Sequence, residues 1–167
     1  MLRRPLGGGR RSVTGHPGAE YDYVVPDDTD PPELEVIGEQ ECLALLTGRQ
    51  FGRLGYLSDG WPVILPVNYV FEEPSIVVRT GLGSKLDDTP LTMVAFEVDD
   101  VDPAGRWGWS VLAQGPAFDI SDSIDEYSGI LRQLPVEPQA PGHKPYWLKV
   151  TARRVSGRRF GEVPPSG

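Results

Sequence analysis

The stretch from Val77 to Lys85 contains the side chains of this chain that are best suited to hold an anion. A β-branched run ends in Arg79 and Thr80, two glycines follow, and Ser84 precedes the final lysine. Glycines allow tight turns and close approach of backbone N–H groups, while the hydroxyls and cations supply further donors. Converging donors of this kind bind phosphate monoesters. The stretch predicts a phosphate-binding turn at a strand end, although an ordinary turn before an exposed helix start has the same composition.

Other residues with catalytic or metal-binding potential do not form a set. The single cysteine, Cys42, lies in an apolar stripe and is interpreted as a small core residue rather than a catalytic thiol. His16 and His143 have no partners at the spacing of a metal site. The sequence therefore identifies no catalytic residues and predicts no bound metal.

Composition and charge exclude several classes of protein. The chain has 167 residues and a formal net charge of -8 at pH 7, which is unfavourable for a general nucleic-acid binder. No apolar run is long enough to span a bilayer, and no apolar segment follows the N-terminal arginines as it would in a secretory signal. We expect a cytoplasmic protein without a nucleic-acid or membrane partner.

The change of composition along the chain predicts one folded domain between two tails. Residues 1–33 are rich in Arg, Gly, Pro and Asp and poor in apolar side chains, which is typical of disorder. Periodic apolar residues begin near Leu34. The folded domain is therefore expected over residues 34–161, with a short C-terminal tail over residues 162–167.

Short strands with turns between them dominate the predicted fold. The expected strands cover residues 51–58, 61–71, 75–80, 91–99, 107–120 and 146–155, with a short seventh over 157–160. Asp59-Gly60 is a hairpin signal, and Pro62 and Pro66 place part of the second strand at a sheet edge or a bulge. Mostly antiparallel short strands predict a mainly β fold, a small closed barrel with one or two helices packed on it.

Two short helices are expected beside the strands. The first begins at Gly38 or Glu39 and ends at Leu46. The second follows a pair with capping-box spacing, Ser123 and Glu126, and reaches residue 134. Its predicted apolar face consists of Ile124, Tyr127, Ile130, Leu131 and Leu134.

Seven motifs in order give the chain a family resemblance. They are Gly52-Arg53-Leu54, Asp59-Gly60-Trp61-Pro62, Pro66-Val67-Asn68-Tyr69, Arg79-Thr80-Gly81-Leu82-Gly83-Ser84-Lys85, Val94-Ala95-Phe96-Glu97-Val98-Asp99, Gly108-Trp109-Ser110-Val111 and Gly157-Arg158-Arg159. Over residues 36–160 this order resembles the pyridoxamine 5′-phosphate oxidase-like family, and within it the actinobacterial flavin-binding proteins of unassigned substrate. The resemblance implies a six-stranded antiparallel split barrel, a homodimer, and flavin mononucleotide (FMN) bound at the dimer interface.

The same resemblance implies which residues hold the flavin. The expected contacts are phosphate ligands, neighbours of the isoalloxazine ring on one strand, and residues that reach the ring across the dimer interface. These are Arg79, Thr80, Ser84 and Lys85 for the phosphate; Pro66, Val67, Asn68 and Tyr69 beside the ring; and Trp109 and Ser110 across the interface. A strand-edge amide is the alternative interpretation of Asn68, and a place in the barrel core is the alternative for Trp109.

Three functions are compatible with such a site. The first is an FMN-dependent oxidoreductase that passes hydride or electrons between a donor such as reduced nicotinamide and a small substrate. The second is a non-catalytic flavin-binding or sensing module. The third is a deazaflavin-dependent reductase on the same barrel, although the short Pro-rich loop and acidic surroundings favour FMN. The ending Gly157-Arg158-Arg159 differs from that of authentic vitamin oxidases, which weighs against that activity.

Overall fold

A computed structural model describes residues 10–14, 20–24, 34–81, 92–138 and 142–161 of the chain. The chain divides into two compact units, Met1–Glu33 and Leu34–Gly167. In the first unit, β1 (Arg10–Thr14) pairs antiparallel with β2 (Glu20–Val24). The overall composition did not predict these strands, but both contain the β-branched or aromatic residues that favour extended backbone. The domain limits drawn from the sequence stay predictions, and the expected tail over 162–167 lies outside the described residues.

The described part of the second unit contains eight strands and two helices. They follow in the order β3 (Glu35–Ile37), α1 (Glu39–Thr47), β4 (Phe51–Ser58), β5 (Trp61–Glu72), β6 (Ser75–Thr80), β7 (Thr92–Val101), β8 (Gly108–Asp119), α2 (Glu126–Leu131), β9 (Tyr146–Thr151) and β10 (Arg154–Phe160). The sequence did not predict β3, and the strand expected over 146–155 is divided between β9 and β10. The division has a physical cause: Ala152 N–H donates to the Pro74 carbonyl and Arg153 N–H to the Gln114 carbonyl, so the chain changes partners there.

Six of these strands form a closed antiparallel ring. The pairings run from β4 to β5, β6, β9, β8 and β7, and β7 returns to β4. Strand β10 pairs with the first half of β8, and β3 pairs with β10, so these two strands lie outside the ring. The predicted fold class, a six-stranded antiparallel barrel with one or two short helices, is confirmed.

Strand β5 changes partner along its length. Residues 61–68 pair with β4, and residues 69–72 pair with β6. Pro62 and Pro66 therefore lie in the half of β5 whose second edge, over residues 61–67, has no strand partner in the described part of the chain. A proline cannot donate to a ladder and is placed at such edges, so the expected edge position is confirmed. The hairpin that precedes this half has positive φ at both Asp59 (52°) and Gly60 (79°), as its sequence predicted.

The barrel interior and the outer face under α2 form two separate cores. The main core contains Leu54, Tyr69 and Phe96, and the rings of the last two meet edge to face at 4.7 Å. The second core, under α2, consists of Val77, Ile120, Leu131 and Val136. The second core fixes both α2 and the segment that follows it against the outer face of the barrel.

Helix α1 packs against β10 through Cys42. The thiol is fully buried, and a Cβ added at Gly157 would lie 2.7 Å from its sulfur. Burial raises the pKa of the thiol above its usual value, and the nearby carboxylate of Glu41 raises it further by a smaller amount. The interpretation of Cys42 as a core residue agrees with this position.

Helix α2 differs from its prediction in both start and face. Its N-cap is Asp125, whose carboxylate accepts a hydrogen bond from Ser128 N–H at 2.9 Å, and the helix is shorter than expected. Ile124 precedes the cap and is fully exposed, and Tyr127 and Ile130 are exposed as well. The predicted apolar face was wrong at these three positions. Ile124 lies before the helix because the later of two good capping residues begins it, and inside the helix the buried face consists of Ser128 and Leu131. Neither helix in the described ranges is long and apolar enough to cross a membrane.

Candidate functional site

Alternation along β5 sends the four predicted ring neighbours to opposite faces. Val67 and Tyr69 are buried inside the barrel, whereas Pro66 is exposed and Asn68 is half-buried. Successive side chains of a strand point to opposite faces of the sheet. Pro66 and Asn68 therefore present side chains outside the barrel, while Val67 and Tyr69 offer a ligand their backbone.

The side chain of Tyr69 is already committed to the fold. Its hydroxyl donates a 2.6 Å hydrogen bond to the Leu46 carbonyl at the end of α1. Burial raises the pKa of the phenol, with a smaller opposing effect from Arg49. The hydroxyl therefore stays protonated and serves to attach α1 to β5.

Arg79 and Asn68 lie side by side on the outer face of the barrel. Tyr69 pairs with Val78, and continuing that register by one pair sets Asn68 opposite Arg79. Both residues line a cavity of about 310 Å³, together with Pro66, Thr80 and Lys144 among others. We call this cavity the cationic pocket, because the charged side chains in its lining are Arg79 and Lys144.

No carboxylate among the described residues binds the guanidinium of Arg79. It lies 5.0 Å above the ring of Trp147, its partner across the β6–β9 pairing, and its Nη2 donates to the Lys144 carbonyl at 3.3 Å. Its Nε is buried and has no hydrogen-bond partner in the described part of the chain. A buried donor left unsatisfied costs roughly 1–3 kcal/mol. The Arg79 side chain thus combines an unneutralised charge at the lining of the cavity with a donor that lacks an acceptor among the described residues.

A second cavity lies on the other side of Asn68. It has a volume of about 280 Å³ and is lined by Gln50, Asn68, Tyr69, Pro135 and Glu137. The Asn68 Nδ2 donates to the Gln50 carbonyl at 3.3 Å, which fixes the amide between the two cavities. We call this cavity the Glu137 pocket, after the charged side chain in its lining.

The two predicted residues of β8 point in opposite directions. Trp109 is buried in the main core, with the Arg49 guanidinium 5.1 Å from its ring centre. Ser110 is exposed and pairs in register with Asp99 and Arg158. The burial of Trp109 agrees with its alternative interpretation as barrel core. The expected approach of either residue to a ligand across a dimer interface stays a prediction.

The structure brings part of the predicted set together and adds residues that the sequence did not indicate. Pro66, Val67, Asn68, Arg79 and Thr80 line one cavity, while Ser84 and Lys85 lie outside the described residues. Lys144 was missed because it becomes a neighbour of β6 only when β9 closes the ring, and Glu137 because the burial of Val136 places it. The resemblance to the family drew attention to Trp147 but did not assign it to the site. Within the described ranges no group of three His, Cys, Asp or Glu side chains could hold a metal ion.

The fold and site define a split-barrel protein with a cationic pocket on its outer face. The family model described as pyridoxamine 5′-phosphate oxidase matches residues 38–159, well over half of the chain. The chain therefore belongs to the pyridoxamine 5′-phosphate oxidase-like family, as the resemblance of its motifs predicted.

Proteins from mycobacteria and corynebacteria are among those that are similar to this chain. An uncharacterised protein of Mycobacterium tuberculosis is 32% identical over 96 residues, which cover 54% of this chain and 63% of that protein. The chain thus spans less than two thirds of the curated relative that it matches. The structure of the FAD binding protein from Mycobacterium smegmatis is 29% identical, with a TM-score of 0.60, over 76% of this chain and 98% of that one. A conserved protein of unknown function from Corynebacterium diphtheriae is 30% identical, with a TM-score of 0.58, over the same shares.

Proposed function

We propose that this chain is a flavin-binding oxidoreductase that holds FMN with its phosphate in the cationic pocket. The observation that carries the proposal is Arg79, whose buried Nε has no partner and whose charge no carboxylate neutralises in the described residues. Arginine binds phosphate oxygens through several donors in one plane, so a phosphate in the cationic pocket would find an unneutralised guanidinium in its lining. Membership of the family and the similarity to a FAD binding protein support a flavin as the ligand.

Each predicted site residue has a role in this proposal. Arg79, Thr80, Ser84 and Lys85 bind the phosphate; Pro66, Val67, Asn68 and Tyr69 lie beside the ring; Trp109 and Ser110 belong to the ring's surroundings across the interface. The flavin supplies the redox chemistry, and the protein supplies its orientation and electrostatic environment. Electrons would come from a donor such as reduced nicotinamide and pass to a small substrate.

A second candidate cofactor is FAD. The Mycobacterium smegmatis relative is described as FAD binding and is 29% identical to this chain. FAD carries a pyrophosphate in place of the terminal phosphate of FMN. The phosphate groups of the two cofactors would therefore bring different negative charge to Arg79. FMN remains the preferred cofactor because its terminal phosphate places close to two negative charges on one group beside the two cations of the pocket.

The proposed functional unit is a homodimer. Four apolar side chains are exposed on β4, β5 and β7: Leu57, Pro62, Ile64 and Met93. Leu57 pairs with Pro62 across the strands, and Ile64 follows Pro62 on the same face of β5. This apolar surface lies on the same face of β5 as Pro66 and Asn68. An exposed apolar patch beside a ligand site is typical of a protein interface. Light scattering is expected to show a dimer, and a monomer with full flavin affinity would contradict the proposal.

The cofactor is identified from the purified protein. We expect a flavin absorption spectrum and, after denaturation, release of a compound with the mass of FMN. Release of a compound with the mass of FAD or of a deazaflavin would change the assignment of the cofactor. Failure to bind any of the three compounds when they are added would overturn the proposed function.

Turnover is tested by adding reduced nicotinamide without oxygen and then an electron acceptor. Loss and recovery of the flavin absorbance are expected from an oxidoreductase. A bound flavin that no donor reduces would instead identify a non-catalytic binding module.

A further inference from the structure

The Glu137 pocket and the cationic pocket are neighbours with opposite charge. Arg79 and Lys144 line the cationic pocket, and Glu137 is the charged side chain in the lining of the other. Asn68 belongs to both linings. A ligand with an anionic end is therefore directed into one cavity and repelled from the other.

The segment after α2 separates the two pockets and is anchored in place. Val136 is 3% exposed and packs in the second core with Val77, Ile120 and Leu131. Its neighbours in sequence line the Glu137 pocket, and Pro138 lines the cationic pocket. Because Val136 is held in the core, the backbone that carries Glu137 is attached to the barrel, and the exposed side chain of Glu137 lies at the lining of its pocket.

Among the polar side chains of the Glu137 pocket, the carboxylate is the one that only accepts hydrogen bonds, since the amides of Gln50 and Asn68 both donate and accept. An anion entering this cavity would meet Glu137, whereas an N–H group would find an acceptor. The lining thus selects ligands by the hydrogen bonds they donate and by the absence of negative charge.

We propose that the Glu137 pocket is the subsite for the second ligand of this protein, and that it takes a neutral or cationic group with N–H donors, such as a carboxamide or an amine. This inference rests on the proposed function, since it assumes that the phosphate end of the flavin occupies the cationic pocket. Asn68 then lies between the two ligands. Glu137 is the specificity-determining residue of this subsite.

Nicotinamide and nicotinate form a matched pair of probes for this subsite. They share a ring and differ in a carboxamide that donates N–H groups against a carboxylate that cannot. We expect FMN-saturated full-length protein to bind nicotinamide about tenfold more tightly than nicotinate, a difference of about 1.4 kcal/mol. Ligand-observed NMR titration measures both dissociation constants.

Substitution of Glu137 tests the assignment. Glu137→Gln should reduce the preference to about threefold or less, and Glu137→Lys should reverse it, since the repulsion of the anion is removed or inverted. Glu72→Gln changes an exposed carboxylate on β5 that lines neither pocket, and should keep the parent preference. Thermal melts verify that all three variants remain folded.

The outcomes separate this inference from the proposed function. An unchanged preference in Glu137→Gln, or no preference in the parent protein, would overturn the inference even where FMN binds normally. Protein that fails to bind FMN contradicts the proposed function. In that case the same comparison is made without flavin in the Arg79→Ala background, where the cationic pocket attracts nicotinate less, and a preference that depends on Glu137 would still support the subsite.

Discussion

The arginines of the barrel domain differ in what their guanidinium groups contact. Arg49, Arg53, Arg106 and Arg159 each bind a carboxylate oxygen at 2.6–2.9 Å. Arg79 has an aromatic ring and a carbonyl instead, and one nitrogen without a partner in the described residues. Arg49, Arg53 and Arg159 connect different segments of the fold, and Arg106 closes the turn between β7 and β8. The charge of Arg79 is not neutralised by a carboxylate among the described residues.

The paired arginines show how the first group works. Arg159 on β10 binds Glu35 on β3 and Glu41 on α1, and Arg53 on β4 binds Glu97 and Asp99 on β7. The hydrogen bond to Glu35 is the largest cause of the raised pKa of Arg159. A guanidinium neutralised in this way has little attraction left for an anion. The comparison therefore separates arginines that join strands from an arginine placed for a ligand.

Removal of Arg79 is expected to have the largest effect on flavin binding. A charge-assisted hydrogen bond to an enclosed anion is worth roughly 1.5–3 kcal/mol, so Arg79→Ala should weaken FMN binding about ten- to a hundredfold. Riboflavin, which lacks the phosphate, should lose much less. Quenching of flavin fluorescence measures both affinities, and equal losses for the two ligands would indicate general damage rather than a lost phosphate contact.

Trp147 is expected to act through Arg79. Trp147→Leu removes the ring beneath the guanidinium, a contact worth about 0.5–1 kcal/mol or more when partly buried, and should weaken FMN binding about three- to fivefold. Trp147→Phe should restore part of the affinity because it restores an aromatic face. In the Arg79→Ala background, Trp147→Leu should not change the ratio of the affinities for FMN and riboflavin any further. An additive loss would show that Trp147 acts on the ligand independently of Arg79.

Acidification should weaken FMN binding at Arg79 at a higher pH than it weakens the ion pairs of the other arginines. The second pKa of a phosphate monoester is about 6, so FMN affinity should fall about two- to fivefold as pH drops through that value. Glu35 has a pKa below its usual 4.5, mainly through the hydrogen bond from Arg159. Its contribution to stability is therefore complete above about pH 4.5 and lost as pH falls through the lowered value. Between pH 7 and 5 the contribution of the Glu35–Arg159 pair to the melting temperature should stay nearly constant, while the affinity for FMN declines.

Substitution of a paired arginine is expected to have the smallest effect. Arg53→Ala breaks an exposed ion pair, and such pairs contribute about 0.2–1 kcal/mol to the free energy of unfolding. The affinity for FMN should change much less than in Arg79→Ala, because Arg53 pairs with Pro66 through its backbone and its own side chain is not in the lining of the cationic pocket. A loss of FMN affinity comparable to that of Arg79→Ala would remove the distinction between the two groups.

Much of the barrel was predictable because its signals are local. Asp59-Gly60 specifies a tight hairpin through two positive φ angles, and Pro62 and Pro66 mark an open edge. Such residues act on their own backbone, whatever the rest of the chain does. The start of α2 was missed for the same reason, since Ser123 and Asp125 are both good capping residues and local rules do not choose between them.

The surroundings of the site were not predictable from local signals. Arg79 was indicated by its own charge and the glycines after it, but Lys144 is 65 positions away and meets it only through the β6–β9 pairing. The partner of an edge strand depends on how the ring closes, and no residue of β6 or β9 specifies that choice. Glu137 is placed by the burial of its neighbour Val136 rather than by any pattern of its own.

The buried thiol of Cys42 can be used to measure local opening of the domain. It is the only cysteine in the sequence, it is fully buried between α1 and β10, and its pKa is raised. A thiol reagent can therefore react only while this corner is open, so the labelling rate at a given pH reports the population of the opened state. Labelling that slows when flavin is added would show that ligand binding on β5 and β6 reduces the opening of the contact between α1 and β10, since α1 is attached to β5 through Tyr69.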